Sequence, residues 1–386
     1  MTTPLTTTTL GSVARIKTGA RDNQDKLAHG AYPFFVRSDT VERIDSYSHE
    51  GEAILVPGEG RIGEIFHYIN GKFDVHQRVY KISDFTSTVS ARYVYYYMTL
   101  FFGEHAMQNT VKATVDSLRM PTFTSFELRL PPLRAEQDRV VEALGDVDEL
   151  IATLERLIAK KQAIKQGMMQ QLLTGLTRLP GFTTEWRDAR LGSLGMFLKG
   201  RGIKRDDVRS TGVACIRYGE IYTAFGDYTD EARSFVTPDV ASTALPIRRG
   251  DVLFAGSGET KAEIGMSLAY TGKRDAVAGG DIIVLRGTGF DPVFLASLLN
   301  SPAVSVQKAR KGQGDAVVHI SSHALADVEL KLPGFEEQGA IATVIKDADA
   351  EISALAGRLA KTRAIKQGMM QQLLTGRTRL PAEDTV

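Results

Sequence analysis

Short patterns in the second half of the chain have the form of catalytic motifs. Phe254-Ala-Gly-Ser-Gly258 has the FxGxG form of the loop with which amino-methyltransferases hold S-adenosylmethionine, and Asp291-Pro-Val-Phe294 partly matches their (D/N)PP(Y/F) motif. The second proline is missing, although that motif must grip the target amino group with its first side chain and backbone. Asp251 with Glu259-Thr-Lys261 fits the looser Asp…Glu-x-Lys pattern, in which carboxylates hold a divalent metal and the lysine polarises a phosphate. Neither pattern recurs in the first half, where Gly51-Glu-Ala-Ile-Leu55…Ile62-Gly63 stands against Gly250-Asp-Val-Leu-Phe254…Ile264-Gly265. A strand and turn common to both halves explains the segment better than catalysis does. The 7 histidines lack ligand spacing such as HExxH, and no GxxxxGK(S/T) loop is present. The single cysteine, Cys215, excludes an internal disulfide framework and reads as a small buried residue.

The other chemistry on offer is recognition. Nucleic-acid binding needs Lys and Arg for phosphates, and Arg, Lys, Asn, Gln or Ser at base edges. In the first half, candidates are Lys17 and Arg21, Arg37-Ser38 at the end of an aromatic strand, Arg61 in a Gly-rich loop, the triplet His76-Gln77-Arg78, and Lys112. The second half offers Lys199, Arg201, Lys204 and Arg205 in one basic run, then Arg217-Tyr218 and Lys261. Lys308, Arg310, Lys311 and Gln313 in QKARKGQ complete the set. For each, the competing reading is an ordinary solvated loop. The net charge of +1 supplies no general attraction, so any basic surface must be local.

The elements that would position these loops come twice. Ala163–Pro180 and Ala364–Pro381 are identical at 17 of 18 positions, differing only at Leu176 and Arg377. The 201-residue offset also relates Glu136-Gln137 to Glu337-Gln338, and Glu127–Pro131 matches Glu329–Pro333 with a one-residue slip. Leu10-Gly-Ser-Val13 and Leu191-Gly-Ser-Leu194 open the two halves, and between these landmarks the halves share little. Four segments follow: a β-rich head over 1–133, a helical region over 134–180, a second head over 181–333, and a second helical region over 334–386.

In the first helical region Val140, Leu144, Val147, Ile151, Leu154 and Ile158 recur at steps of four and three, resuming at Met168 and Leu172. Their counterparts are Ile341, Ile345, Ala348, Ile352, Leu355, Leu359, Met369 and Leu373. This is heptad spacing, and it predicts a coiled-coil seam between the two copies. A helix from Ala135 to Thr174 would extend ~60 Å at 1.5 Å per residue. Chain length permits either orientation; a pseudo-twofold pair would run antiparallel. The run Ala91–Phe102 predicts a core helix, and Trp186 a packing anchor. A hydrophobic share of 43% and charged share of 24% fit a soluble globular chain, with no run long enough to span a membrane. The lone cysteine suits the reducing cytoplasm.

The order of head, Leu-Pro-(x)-Glu-Gln motif, long helix and Leu-Leu-Thr-Gly, all repeated, resembles the specificity subunit of Type I restriction–modification enzymes. The resemblance spans essentially the whole chain and rests on ELRLPPLRAEQ, ELKLPGFEEQ and the paired AIKQGMMQQLLTG blocks. It implies an α+β fold: two mixed α/β target-recognition domains joined by two long antiparallel coiled-coil helices, pseudo-twofold. It further implies that each domain reads one half of a split site in double-stranded DNA. The helices would fix the gap and dock two modification (methyltransferase) subunits, with restriction (translocase-nuclease) subunits added. S-adenosylmethionine, Mg2+ and ATP would sit on those partners, and the chain itself would carry no catalytic residue, cofactor or metal. The enzyme alternative is a DNA adenine methyltransferase or fused restriction–modification enzyme using the second-half motifs.

Overall fold

The computed structural model describes residues 4–109, 117–314 and 317–381. It divides into two compact units, Met1–Arg156 with Leu355–Val386, and Leu157–Ala354.

In unit 1 a six-stranded sheet runs in the order Arg15–Thr18, Val79–Ser83, His49–Pro57, His67–Val75, Tyr32–Phe35, Val41–Ile44. The helix Ala91–Gln108 starts where the Ser90 side chain accepts from Tyr93 N. Tyr93, Val94, Tyr96, Tyr97, Met98 and Phe102 are buried in one core with Ile54, Val56 and Ile82, so the aromatic run is packing, as expected. Unit 2 splits its strands between a five-stranded sheet (Gly195–Lys199, Ile282–Gly287, Val252–Ala255, Ser267–Tyr270, Tyr228–Thr229) and a four-stranded one (Ser234–Val236, Val213–Ile216, Ala276–Ala278, Leu245–Ile247). Its counterpart of the aromatic helix is broken into Pro292–Leu299 and Pro302–Lys311, because Pro302 has no N–H to continue the ladder. Cys215 is fully buried, and burial pushes its thiol up to about 11.

The sequence landmarks are the joints that close each unit. Thr6–Thr9 pairs antiparallel with Glu127–Leu130, and Arg187–Arg190 with Glu329–Leu332. Leu10 N then donates to Phe126 O at 2.8 Å and Leu191 N to Val328 O at 2.9 Å. The following glycine is forced by proximity: a Cβ on Gly11 would lie 2.8 Å from Thr124 Cβ, and one on Gly192 2.8 Å from Ala326 Cβ.

The Glu-Gln pair has an equally plain role. Gln137, 1% exposed, accepts from Ser90 N at 2.8 Å and donates to Thr88 O and Pro131 O at 3.1 and 2.9 Å. Gln338, also 1% exposed, accepts from Asp291 N and donates to Pro333 O, both at 3.0 Å. Each glutamine ties the start of a long helix to the start of its unit's core helix. Its neighbour holds the far end of the other long helix: Arg379 donates to Glu136 at 2.6 Å in unit 1, and Arg178 to Glu337 at 2.5 Å in unit 2.

The long helices run Arg134–Leu172 and Phe335–Leu374. They end at Gly175 and Gly376, whose φ values of 70° and 71° suit glycine. Leu5 packs against Gly376, and Trp186 against Gly175 as the expected anchor. Within each unit the two helices run antiparallel. In unit 1 Asp148 meets Lys366 and Glu155 meets Arg363, both at 2.6 Å; in unit 2 Lys161 meets Glu351 at 2.7 Å and Lys165 meets Asp349 at 2.5 Å. The pairs Asp148–Lys366 and Asp349–Lys165 map onto one another under the 201-residue offset, so the same bridge is made in both units.

The residues of the expected seam divide by burial. Val140, Leu144 and Leu373 are buried in the core of unit 1, and Leu172, Ile341 and Ile345 in that of unit 2. Leu154 is buried as well. Val147, Ile151, Ile158, Met168, Ala348, Ile352, Leu355, Leu359 and Met369 are half-buried, as befits a two-stranded stretch. The units differ beside the shared bridge. In unit 1 Tyr96 donates to Asp148 at 2.7 Å, whereas Ser297 takes its place in unit 2 and donates to Asp227, beside a cavity of about 680 Å³ bordered by Lys165 and Asp349.

Candidate nucleic-acid interface

In unit 1, most of the sequence-predicted recognition residues converge on one loop cluster. His76 N donates to Phe35 O at 3.0 Å, Gly58 N to Arg78 O at 2.9 Å, Gln77 N to Arg21 O at 2.8 Å, and Leu118 N to Gly58 O at 2.8 Å. These bonds lock the strand end before Arg37-Ser38, the Gly-rich loop of Arg61, the Arg21 segment and the His76–Arg78 turn into one surface. Lys17 is an exposed residue on a neighbouring edge strand, opposite Lys81.

The cluster is less basic than the sequence suggests. Arg21 is held by buried Asp74 at 3.2 Å, Arg61 by Asp39 and Glu64 at 2.6 and 2.9 Å, and both Arg37 and Arg78 by Glu59. Gln77 donates to Asp22 at 2.6 Å. Burial opposes ionisation of Asp74, but hydrogen bonds from Ser48, Ser46, Val75 N and Arg21 outweigh it and hold the carboxyl below its usual value. His76 is less exposed than the sequence suggests. It is buried; burial first, then the nearby Arg37, lowers its pKa, and its Nδ1 accepts from Arg78 N at 2.9 Å. It therefore shapes the turn, and its largely covered ring borders a shallow pocket with Arg37 and Ser38. Lys112 lies outside the described residues.

Unit 2 repeats four bonds of this backbone frame with largely different residues. Gly279 N donates to Ile216 O at 3.0 Å, Gly256 N to Asp281 O at 2.7 Å, and Ile320 N to Gly256 O at 3.0 Å, each the counterpart of a bond in unit 1. Gly200 N to Ile282 O repeats Gly19 N to Val79 O, which brings the Lys199–Arg201 stretch to the same surface. Lys204 and Arg205 are exposed on the turn that follows, and Lys261 is exposed in the Gly256–Gly265 loop. Gln313 joins through His319: Gln313 N donates to His319 O at 2.9 Å, and His319 Nδ1 lies 2.8 Å from Ser257 Oγ. Arg310 is exposed and Lys311 sits 3.8 Å from Asp327 on the adjacent helix.

The frame assigns equivalences that no identity marks. Arg37 corresponds to Tyr218, Val36 to Arg217, and Arg78 to Asp281. Arg217 is accordingly half-buried, turned toward Glu220 at 3.3 Å, while Tyr218 is the exposed residue of that pair.

Lys308 is the larger correction. It is 1% exposed and its ammonium donates to Gly265 O at 2.6 Å, fixing the base of the Gly256–Gly265 loop instead of facing solvent. Burial, only partly offset by Asp227, pushes its pKa down to about 7. The unfolded lysine titrates near 10.4, so between about pH 7 and 10.4 the unfolded chain binds the extra proton and stability rises with pH. The penalty is complete below pH 7 and gone above the window. Denaturation followed by Trp186 fluorescence is expected to show unit 2 gaining roughly 1 kcal/mol per pH unit from pH 7 to 9. Lys308→Met should flatten that rise; equal slopes in the two proteins would refute the assignment.

The catalytic patterns dissolve into structural roles. Phe254 is fully buried in a strand, and Asp291 caps the Pro292–Leu299 helix by accepting from Val293 N and Phe294 N at 2.9 and 3.0 Å. Asp251 is 1% exposed, with its two oxygens taken by Arg286 at 2.9 and 2.6 Å. Among the described residues no group of three or more His, Cys, Asp or Glu is arranged to hold a metal, and no helix is long and apolar enough to cross a membrane.

Residues 4–166 match the family model described as Type I restriction modification DNA specificity domain. The chain is 24% identical over 381 residues to the MjaVIII specificity subunit of a Type I restriction enzyme from Methanocaldococcus jannaschii, covering 92% of this chain and 88% of that protein. It is 27% identical over 183 residues to the EcoDI specificity subunit of Escherichia coli, covering 47% of this chain and 39% of that one. In fold it is similar to the S subunit of the Type I restriction–modification system of M. genitalium, with a TM-score of 0.66, 14% identity and 96% of both chains covered.

Proposed function

We propose that the chain is a specificity subunit of the Type I restriction–modification kind, and that its two heads read the two unlike halves of an asymmetric bipartite DNA site. It is a recognition subunit rather than an enzyme. One observation carries the proposal: the heads share four backbone bonds of one loop frame, yet bear different side chains at its tip. Arg37 and Arg78 in one are replaced by Tyr218 and Asp281 in the other. A reader that keeps its frame and changes its contacts is a device for different sequences, since the frame positions and the side chains specify.

The helices hold a different burden. Their blocks are almost invariant between the copies, and the shared Lys–Asp bridge and the Glu-Gln joints recur in both. In this reading they set the gap between the half-sites and dock two modification subunits. Each block exposes an apolar residue in a polar surround, Ile164 at 52% and Ile365 at 59%. Two copies of one surface suit two copies of one partner. The restriction subunits join that assembly; S-adenosylmethionine, Mg2+ and ATP belong to the partners, and the complex works in the cytoplasm. Joining two heads makes the second contact intramolecular, so neither head needs high affinity alone.

The test is selection from randomised duplexes by the full chain assembled with its partner subunits, followed by sequencing. Two unlike half-sites at one fixed gap are expected, with binding that falls steeply with salt. A single contiguous motif, or two identical half-sites, would contradict the proposal.

A further inference from the structure

Glu59 stands at the junction of three loops in head 1. Its Oε2 lies 3.3 Å from Arg37 Nη1 and its Oε1 bonds Arg78 Nη1. Both arginine side chains are more than half exposed, whereas that of Glu59 is largely covered. The backbone fixes all three: Gly58 N donates to Arg78 O, Arg78 N to His76 Nδ1, and His76 N to Phe35 O, two residues before Arg37.

Two exposed arginines this close would repel and spread in water. A carboxylate between them cancels one charge and pins both side chains while spending one N–H of the five on each. The remaining donors stay available in a fixed fork, which is the geometry arginine uses on guanine O6 and N7. An ordinary surface ion pair contributes little to stability. Its value here lies in what the arginines can do once held.

Building on the reading of head 1 as a DNA-recognition domain, we propose that Glu59 is a specificity-determining positioning residue. It holds Arg37 and Arg78 as a paired fork for a G·C-bearing step of one half-site, and it restrains them from binding any phosphate within reach. Head 2 has no such device, because Tyr218 and Asp281 occupy the two arginine positions. The fork therefore acts on one half-site only.

The test uses the same duplex selection with wild type and Glu59→Gln, each as the full chain with its partner subunits. Glu59→Gln is expected to lose tenfold or more of its preference at one or two G·C-bearing positions of one half-site. The other half-site should be unchanged, which also controls for folding. Retention of non-cognate duplex should rise several-fold and its salt dependence should steepen by about one unit of log slope. Loss of a merely structural residue would weaken cognate and non-cognate binding together. Full retention of both half-sites, or equal loss at both, overturns the role of Glu59. A wild-type chain that enriches no sequence overturns the underlying DNA reading, and this inference with it.

Discussion

Gln137→Leu is expected to destabilise unit 1 by roughly 3–5 kcal/mol, among the largest single-site losses in the chain. The side chain is fully buried and satisfies three backbone groups: Ser90 N, Thr88 O and Pro131 O. Leucine fills a similar volume but leaves those groups without partners, at about 1–3 kcal/mol for each buried donor or acceptor. Two elements loosen together, because Ser90 is the N-cap of the aromatic core helix and Pro131 lies at the entry to the first long helix. Gln338→Leu should do the same to unit 2 at somewhat lower cost, since two bonds are lost there. The units can be told apart in denaturant. The one tryptophan, Trp186, lies in unit 2, so Gln338→Leu should move the fluorescence transition. Gln137→Leu should move part of the circular-dichroism transition ahead of it. A loss below about 1 kcal/mol for Gln137→Leu would mean that water replaces the glutamine and that the motif is not the joint described.

The Glu-Gln motif also marks where sequence stops being legible. Its duplication was visible, and so were the helices, their seam and the aromatic core, because periodicity and apolar character report directly on burial. Its meaning was not. A glutamine that hydrogen-bonds three backbone groups looks the same in sequence as one that faces solvent. Lys308 deceived for the same reason: it sits in the basic run QKARKGQ, and only the fold shows that it points at Gly265 O. Arg37 and Arg217 are both arginines just after a strand, a likeness that sequence offers as an equivalence. The backbone bonds shift the match by one residue and hand the exposed place to Tyr218. Of the loop equivalences, Gly58 with Gly256 keeps a glycine at an offset of 198 residues and Arg78 meets Asp281 at 203, so the 201-residue repeat finds neither. Glu59 is a lone carboxylate in sequence, and only the fold makes it the counter-charge of Arg37 and Arg78.

The catalytic patterns failed in the opposite direction. Phe254-Ala-Gly-Ser-Gly258 and Asp291-Pro-Val-Phe294 are each explained by one local need, a buried strand and a helix cap. Short motifs built from Gly, Ser, Asp and Pro satisfy ordinary turns so often that their chemistry must be judged by what their side chains touch.

The central claim is that a duplicated helical frame sets the interval at which two different loop clusters meet DNA. Matched four-residue helical insertions after Ile158 and after Leu359, equivalent positions of the two long helices, would lengthen both by about 6 Å. That is close to the rise of two base pairs. Duplex selection with the altered chain is expected to return both half-sites unchanged at a gap longer by about two base pairs. An unchanged gap, or altered half-sites at the old spacing, would contradict the account.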